Sequence, residues 1–294
     1  MKTVIIGTGL IGGSLARDLR SSGIATRITG VEQSAGHAAR AIEIGIVDDI
    51  RPLSDAVAVA DLVVMTIPVD TIARVLPQVL DHLPEHGVVI DAGSTKQQVC
   101  RAVAGHAKRS RFVAAHPIAG TENSGPDAAM EGLFRGKTNI ICERELSDPD
   151  AVELAIRVFD TLGMKSVFME AEEHDKHVAY VSHLSHVSSF LLGHTVLDIE
   201  KDEKNIFDLA GSGFASTVRL AKSSPEMWAP IFEQNAEYLS QALLEYIMHL
   251  QRFHYHLMKR DGAELRRIMS GANQIRRVLE GLDSGNKLSK DKNQ

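Results

Sequence analysis

A histidine placed directly after an apolar run and directly before a proline is a candidate general base. His116 is such a residue, because Phe112-Val113-Ala114-Ala115 leads into His116-Pro117-Ile118-Ala119-Gly120. The proline biases His116 toward an extended backbone, and imidazole titrates near neutral pH. The chain has 13 histidines, so a surface-loop role is the plain alternative. Ser94 ends a neighbouring run, in Ala92-Gly93-Ser94-Thr95-Lys96. Its hydroxyl could meet His116, a substrate hydroxyl or a bound cofactor, or simply hold a turn. Arg219 stands among apolar residues, where a partly buried guanidinium would grip a carboxylate or phosphate, from a ligand or from within the chain. His174, His177, His183, His186 and His194 crowd one segment. His183 and His186 share a helix face, but no His-Glu-x-x-His occurs and no third ligand is suitably spaced, so no metal site is expected. No Gly-x-Ser-x-Gly elbow is present, which argues against a serine hydrolase.

The N-terminus supplies a second kind of chemistry. Val4-Ile5-Ile6 runs into Gly7-Thr8-Gly9-Leu10-Ile11-Gly12, followed by the apolar-periodic Leu15-Ala16-Arg17-Asp18-Leu19. That is strand, glycine turn and helix. Gly7 permits the turn, Gly9 admits a pyrophosphate to the backbone, and Gly12 lets helix and strand approach, with Leu10 and Ile11 opening the helix. A second strand, Arg27 to Val31, ends at Glu32, where a ribose-binding carboxylate belongs. A carboxylate accepts from the ribose 2′-hydroxyl and repels a 2′-phosphate, so the expected cofactor is NAD rather than NADP. Arg27 and Arg40 are not placed to reverse that preference.

These residues need a scaffold. Through about Glu170, apolar runs bounded by turns alternate with helical patterns: Asp61 to Pro68, Gly87 to Asp91, Phe112 to Ala115, Asn139 to Cys142 and Ser166 to Met169 read as strands. The pattern predicts an α/β fold with a doubly wound, Rossmann-type, mostly parallel sheet. Ligands of such sheets sit beyond the carboxyl ends of the strands, which singles out Thr66-Ile67-Pro68, Gly93 to Lys96 and His116 to Gly120. Asp70 is read as capping the helix that runs to Leu83. Beyond Glu170 no strand is expected. Asp175 to Leu197 reads as one helix, Gly211-Ser212-Gly213-Phe214 as a break, and Ser224-Pro225 as the start of a long helix. A last helix runs from Ala263 to about Leu282. The expected domains are therefore 1–170 for dinucleotide binding and 171–282 for substrate and dimerisation, with a mobile tail at 283–294.

Composition narrows the partners. A net charge of −6 and the absence of a basic cluster argue against a nucleic-acid partner on electrostatic grounds. No stretch is long and apolar enough for a membrane span. Two cysteines without metal spacing, and Met1-Lys2 running directly into a strand, suggest a cytoplasmic protein. The helices' wide apolar stripes call for partners, and a homodimer is expected.

Taken in order, the glycine motif, Asp91-Ala92-Gly93-Ser94-Thr95-Lys96, His116-Pro117-Ile118-Ala119-Gly120-Thr121-Glu122, Ser182-His183-Leu184-Ser185-His186, and Gly211-Ser212-Gly213-Phe214 with Arg219 and Trp228 resemble the prephenate/arogenate dehydrogenase family of tyrosine biosynthesis. The resemblance covers about residues 1 to 280 and implies roles. His116 matches the catalytic histidine, Ser94 the serine beside substrate and nicotinamide, and Arg219 the arginine holding a substrate carboxylate. His186, Thr121, Ser212 and Gly213 would also line the substrate pocket. It implies oxidative decarboxylation of prephenate with NAD, with arogenate as the alternative substrate. Ser212 departs from relatives that carry a third glycine there. A β-hydroxyacid dehydrogenase would use Lys176 and leave His116 without a task. A cofactor-sensing protein would explain Gly7 to Glu32 only.

Overall fold

The computed structural model describes residues 1–202 and 205–281; the expected mobile tail lies outside them. The chain forms two compact units, Met1–Ala236 and Glu237–Gln294.

The first unit is built on one eight-stranded sheet in the order β3-β2-β1-β4-β5-β6-β7-β8. The strands are β1 (Lys2–Ile6), β2 (Arg27–Val31), β3 (Asp49–Ile50), β4 (Leu62–Met65), β5 (Val88–Asp91), β6 (Phe112–Pro117), β7 (Thr138–Cys142) and β8 (Lys165–Met169). All neighbours are parallel except β6 and β7. The β6–β7 connection carries no α-helix, and without a helical crossover the chain returns antiparallel. β3 is not foreseen from sequence, because two residues carry no periodicity.

The helices on this sheet are α1 (Leu10–Ser21), α2 (Ala35–Glu43), α3 (Leu53–Val57), α4 (Val69–His82), α5 (Gln97–Ala102) and α6 (Pro149–Thr161). They cover both faces, so the central strands β4 and β5 are buried at every position. Alternation along β1 divides the core. Ile5 joins Leu15, Leu19 and Phe159 on one face, and Val4 and Ile6 join Ile72, Leu76 and Val99 on the other. Pro68, not Asp70, caps α4; Asp70 sits in the first turn, where its charge still meets the helix dipole favourably.

The helical segment after β8 begins with α7 (Ala171–Val178), passes through a π-helical turn at Ala179–His183, and continues as α8 (Leu184–Asp202). The helix read over Asp175 to Leu197 is thus longer and interrupted. Next come α9 (Ser212–Thr217) and α10 (Pro225–Gln234). Trp228 and Ile231 of α10 pack with Val69 at the start of α4. The long helix expected from Ser224 breaks at Asn235. The second unit holds α11 (Ala236–Met258), which starts at the last residue of the first unit, and α12 (Gly262–Ala272). Asp261 caps α12 by accepting from the Glu264 N–H at 3.1 Å.

Candidate active site

The glycine turn closes the end of β1. Gly7 has φ +94°, a conformation that favours glycine. A Cβ on Gly12 would overlap the Gly7 carbonyl oxygen and Thr66 Oγ1, so helix and strand can approach only with glycine there. Around Gly9 the same construction meets nothing closer than 3.9 Å. Leu10 and Ile11 open α1, whose N-terminus has neither a capping side chain nor an acid in its first turn. Free N–H groups and an uncompensated dipole suit a pyrophosphate. Thr66 Oγ1 donates to the Gly7 carbonyl at 2.7 Å, tying the β4 end to the turn, and exposed Pro68 follows.

Glu32 lies at the end of β2. Its Oε2 accepts from the Thr8 N–H and the Thr8 hydroxyl, each at 3.1 Å, and Oε1 accepts from the Ser34 N–H at 3.0 Å. Oε1 keeps acceptor capacity for a ribose hydroxyl. Arg40 is engaged by Asp127 and Glu43. The turn, the helix terminus and this carboxylate together fit a dinucleotide.

Past β5 and β6 lies a buried polar cluster. The Lys96 ammonium, fully buried, pairs with the fully buried Asp91 carboxylate and donates to the Ala115 carbonyl at 2.7 Å. Asp91 also accepts from the Gly93 and Ala115 N–H groups. This ion pair clamps the ends of β5 and β6 together, and so fixes the end of β6 that carries His116, which is still paired there opposite Ile140 of β7. His116 Nδ1 lies 2.8 Å from His174 Nε2, and His174 Nδ1 lies 2.8 Å from Asp175 Oδ1. Asp175 further accepts from the Lys96 N–H at 2.8 Å and the Gln97 N–H at 2.9 Å. Asn235 Nδ2 donates to the Asp175 carbonyl at 2.7 Å and stands 3.0 Å from His183 Nδ1.

Burial holds the His116 imidazole well below its ordinary value, and the Lys96 ammonium, with any proton placed on His174 or His183, acts in the same direction. Burial also lowers His174, against the opposing pull of Asp175. It pushes His183 down to about 4. Ser94 is half-buried and has no hydrogen-bond partner among the described residues. His116 Nδ1 is therefore engaged from α7, and of the partners open to Ser94 in the sequence His116 is not one it meets here.

A shallower shell is formed by the helical segment. His186 donates from Nδ1 to the Ser182 carbonyl at 3.0 Å and stacks on Trp228, with centroids 3.5 Å apart. Burial lowers its imidazole, and the Arg219 charge adds to that. Arg219 is not buried as its apolar neighbours suggested; its side chain is 53% exposed and pairs with Glu122 at 3.2 Å. The Glu122 carboxyl is held below its usual range by its own backbone N–H and by Arg219. Thr121 precedes Glu122 and accepts from the Asn123 N–H. Ser212 and Gly213 are exposed in the first turn of α9, and no hydrogen bond joins them to the His116 cluster.

Sequence reasoning gave no role to Lys96, Asp91, His174, Asp175 and Asn235, although Lys96 lay in a stretch it singled out and His174 in the histidine-rich segment. The available signal was Asp91 with Lys96 at the end of a buried strand, and adjacent His174-Asp175 on a helix packed over it. Among the described residues no group of His, Cys, Asp and Glu side chains is arranged to hold a metal ion, and no helix is long and apolar enough to cross a membrane.

Comparison with known proteins adds independent findings. Residues 15–168 match a family model described as the prephenate dehydrogenase nucleotide-binding domain, and residues 170–271 match one described as its dimerization domain. Cyclohexadienyl dehydrogenase of Zymomonas mobilis is 30% identical over 281 residues, spanning 94% of this chain and 95% of its own. The solved structure of prephenate dehydrogenase from Aquifex aeolicus with hydroxyphenyl propionate and NAD+ matches with TM-score 0.86 at 30% identity, covering 94% of this chain and 97% of that one. Synechocystis arogenate dehydrogenase matches with TM-score 0.73 at 29% identity, over 95% of this chain and 100% of that one.

Proposed function

The chain belongs to the prephenate dehydrogenase family, as a dehydrogenase that takes a nicotinamide dinucleotide, and from that premise we propose that it oxidatively decarboxylates prephenate to 4-hydroxyphenylpyruvate and CO2 with NAD, in tyrosine biosynthesis. The observation that carries this reading is a neutral imidazole at the sheet's carboxyl edge, His116, held at Nδ1 by His174. The cofactor, when bound, accepts a hydride from the hydroxyl-bearing ring carbon. His116 takes the hydroxyl proton at Nε2 as that C–H pair leaves. The ring carboxylate then departs as CO2, its bonding pair enters the ring, and the new ketone becomes a phenolate. His116 returns the proton to that oxygen, so the reaction releases none. General-base assistance of this kind contributes about 10²–10⁴-fold.

Ser94, whose hydroxyl is free of protein partners, would bridge the substrate hydroxyl and the nicotinamide. Arg219 would exchange Glu122 for a substrate carboxylate, with His186, Thr121, Ser212 and Gly213 around it. Gly7, Gly9, Leu10, Ile11, Gly12, Glu32, Thr66 and Pro68 would line the cofactor cleft, and Glu32 favours NAD over NADP. The working domains are 1–170 and 171–282. A homodimer through the second is supported by exposed Leu191, Leu192, Leu197, Leu244 and Met248.

The test is absorbance at the reduced-nicotinamide band, with prephenate or arogenate and NAD or NADP in parallel. A rise with prephenate and NAD is expected. A rise with arogenate alone moves the chain to the activity named for its Synechocystis neighbour. No rise with either substrate refutes the proposed function.

A further inference from the structure

We propose that His174 and Asp175 are positioning residues: together they set the tautomer of His116 and leave its Nε2 as the basic atom. The proposal rests on His116 being the base. It starts from donors whose roles are fixed. The Lys96 and Gln97 backbone N–H groups can only donate, and both point at the Asp175 carboxylate, one at each oxygen. Asp175 is thereby an acceptor on both sides. The 2.8 Å contact between Asp175 Oδ1 and His174 Nδ1 then places a hydrogen on that nitrogen.

His174 is fully buried and lies near the Lys96 ammonium, both of which disfavour its imidazolium. Neutral with Nδ1 protonated, it presents a lone pair at Nε2. The 2.8 Å contact with His116 is then a hydrogen bond only if His116 Nδ1 donates. His116, also neutral, must carry its lone pair at Nε2. A backbone-anchored carboxylate has passed its polarity through one imidazole to the next.

The surroundings keep the relay from being short-circuited. The titratable groups near His116 are His174 and Asp175 from α7, Lys96 and Asp91 from the β5 end, and His183 from the π turn. The Lys96 ammonium is consumed by Asp91 and the Ala115 carbonyl. His183 Nδ1 faces the Asn235 amide. Asn235 also holds the Asp175 carbonyl and so fixes the helix that carries both relay members. In the reaction the substrate O–H bond breaks as His116 Nε2–H forms. The resulting imidazolium donates through Nδ1 to His174, with the Asp175 charge behind it, and the same proton later goes back to the product oxygen. Without the relay, His116 would be free to protonate Nε2, and the lone pair would turn away from the substrate.

The full-length protein is tested by kinetics and by imidazole nitrogen NMR. In the unaltered protein, the signals that vanish in His116→Asn are expected to report Nδ1 protonated and Nε2 bare. An Nε2–H tautomer there overturns the relay without any relay variant. His174→Phe, which fills the space without an acceptor, should lower kcat at least about tenfold while moving KM less than about threefold. His174→Gln, with an amide oxygen, should restore part of it. Retained kcat and an unchanged kcat–pH profile in folded His174→Phe overturn the relay. If His116→Asn itself keeps turnover, the base assignment fails instead, so the two failures are distinguishable.

Discussion

Acid should loosen this fold through its buried histidines, and His183 allows the size to be worked out. The residue is fully buried and its imidazole is pushed from an ordinary 6.5 to about 4, first of all by burial. The folded value lies below the unfolded one, so on acidification the unfolded chain takes up the proton first. The stabilisation is complete above pH 6.5 and drains away as pH falls toward 4. A gap of about 2.5 units at 1.36 kcal/mol each limits the loss to about 3 kcal/mol, of which about 2 kcal/mol is gone by pH 5. For a unit of this size that is about 4–8 °C in Tm. His116, His174 and His186 are lowered in the same direction and add to the effect. The assay is thermal unfolding by circular dichroism from pH 7.5 to 5.0 in the unaltered protein and in His183→Gln. The variant starts lower, having lost a ring packed against Trp228 and Phe232, but its decline with acid should be shallower by that 4–8 °C. Parallel declines would mean that His183 is not held neutral in the fold.

Three other substitutions probe the cleft. Gly12→Ala forces a methyl group against the Gly7 carbonyl and Thr66 Oγ1; dinucleotide affinity by fluorescence titration should fall at least about tenfold, with about 1–3 kcal/mol of stability lost to overpacking. Undiminished affinity would remove the glycine turn from the cofactor site. Arg219→Ala breaks an exposed ion pair worth at most about 1 kcal/mol, so Tm should hold while the substrate KM rises about tenfold or more. An unchanged KM rejects the carboxylate clamp. Glu32→Ala takes away the acceptor at the ribose position; the ratio of kcat/KM for NAD to that for NADP should drop at least about tenfold, and a constant ratio would show that selectivity lies elsewhere.

Much of the fold was legible because its signals are local. β4 is an uninterrupted apolar run and β5 is one up to its terminal Asp91, since both strands are buried on both faces, and the glycine turn is written in Gly7, Gly9 and Gly12. What escaped has a physical reason in each case. β3 is two residues long and exists only by pairing with β2. The π turn at Ala179–His183 inserts into a helix whose apolar spacing reads as continuous on either side. Asn235 looks helical in sequence, yet it breaks the helix and places its amide between Asp175 and His183.

The site divides along the same line. His116 and Ser94 could be singled out because each stands at a strand end, a place that the sheet alone defines. Their supporting residues could not, since burial is what gives them meaning. Lys96 in a sequence is a solvated cation until β5 and β6 close over it with Asp91 beneath. His174 is one of five histidines in a segment until α7 lays it against His116. Arg219 shows the converse: its apolar neighbours suggested burial, while the structure leaves it half-exposed on Glu122. A carboxylate already in place there gives the guanidinium a defined position in the free protein, and any substrate carboxylate must compete with Glu122 for it. The binding energy that Arg219 delivers is therefore the difference between two carboxylates. Replacing Glu122 by Gln should then lower the substrate KM in steady-state kinetics, while a raised KM would show that Glu122 positions the guanidinium more than it competes.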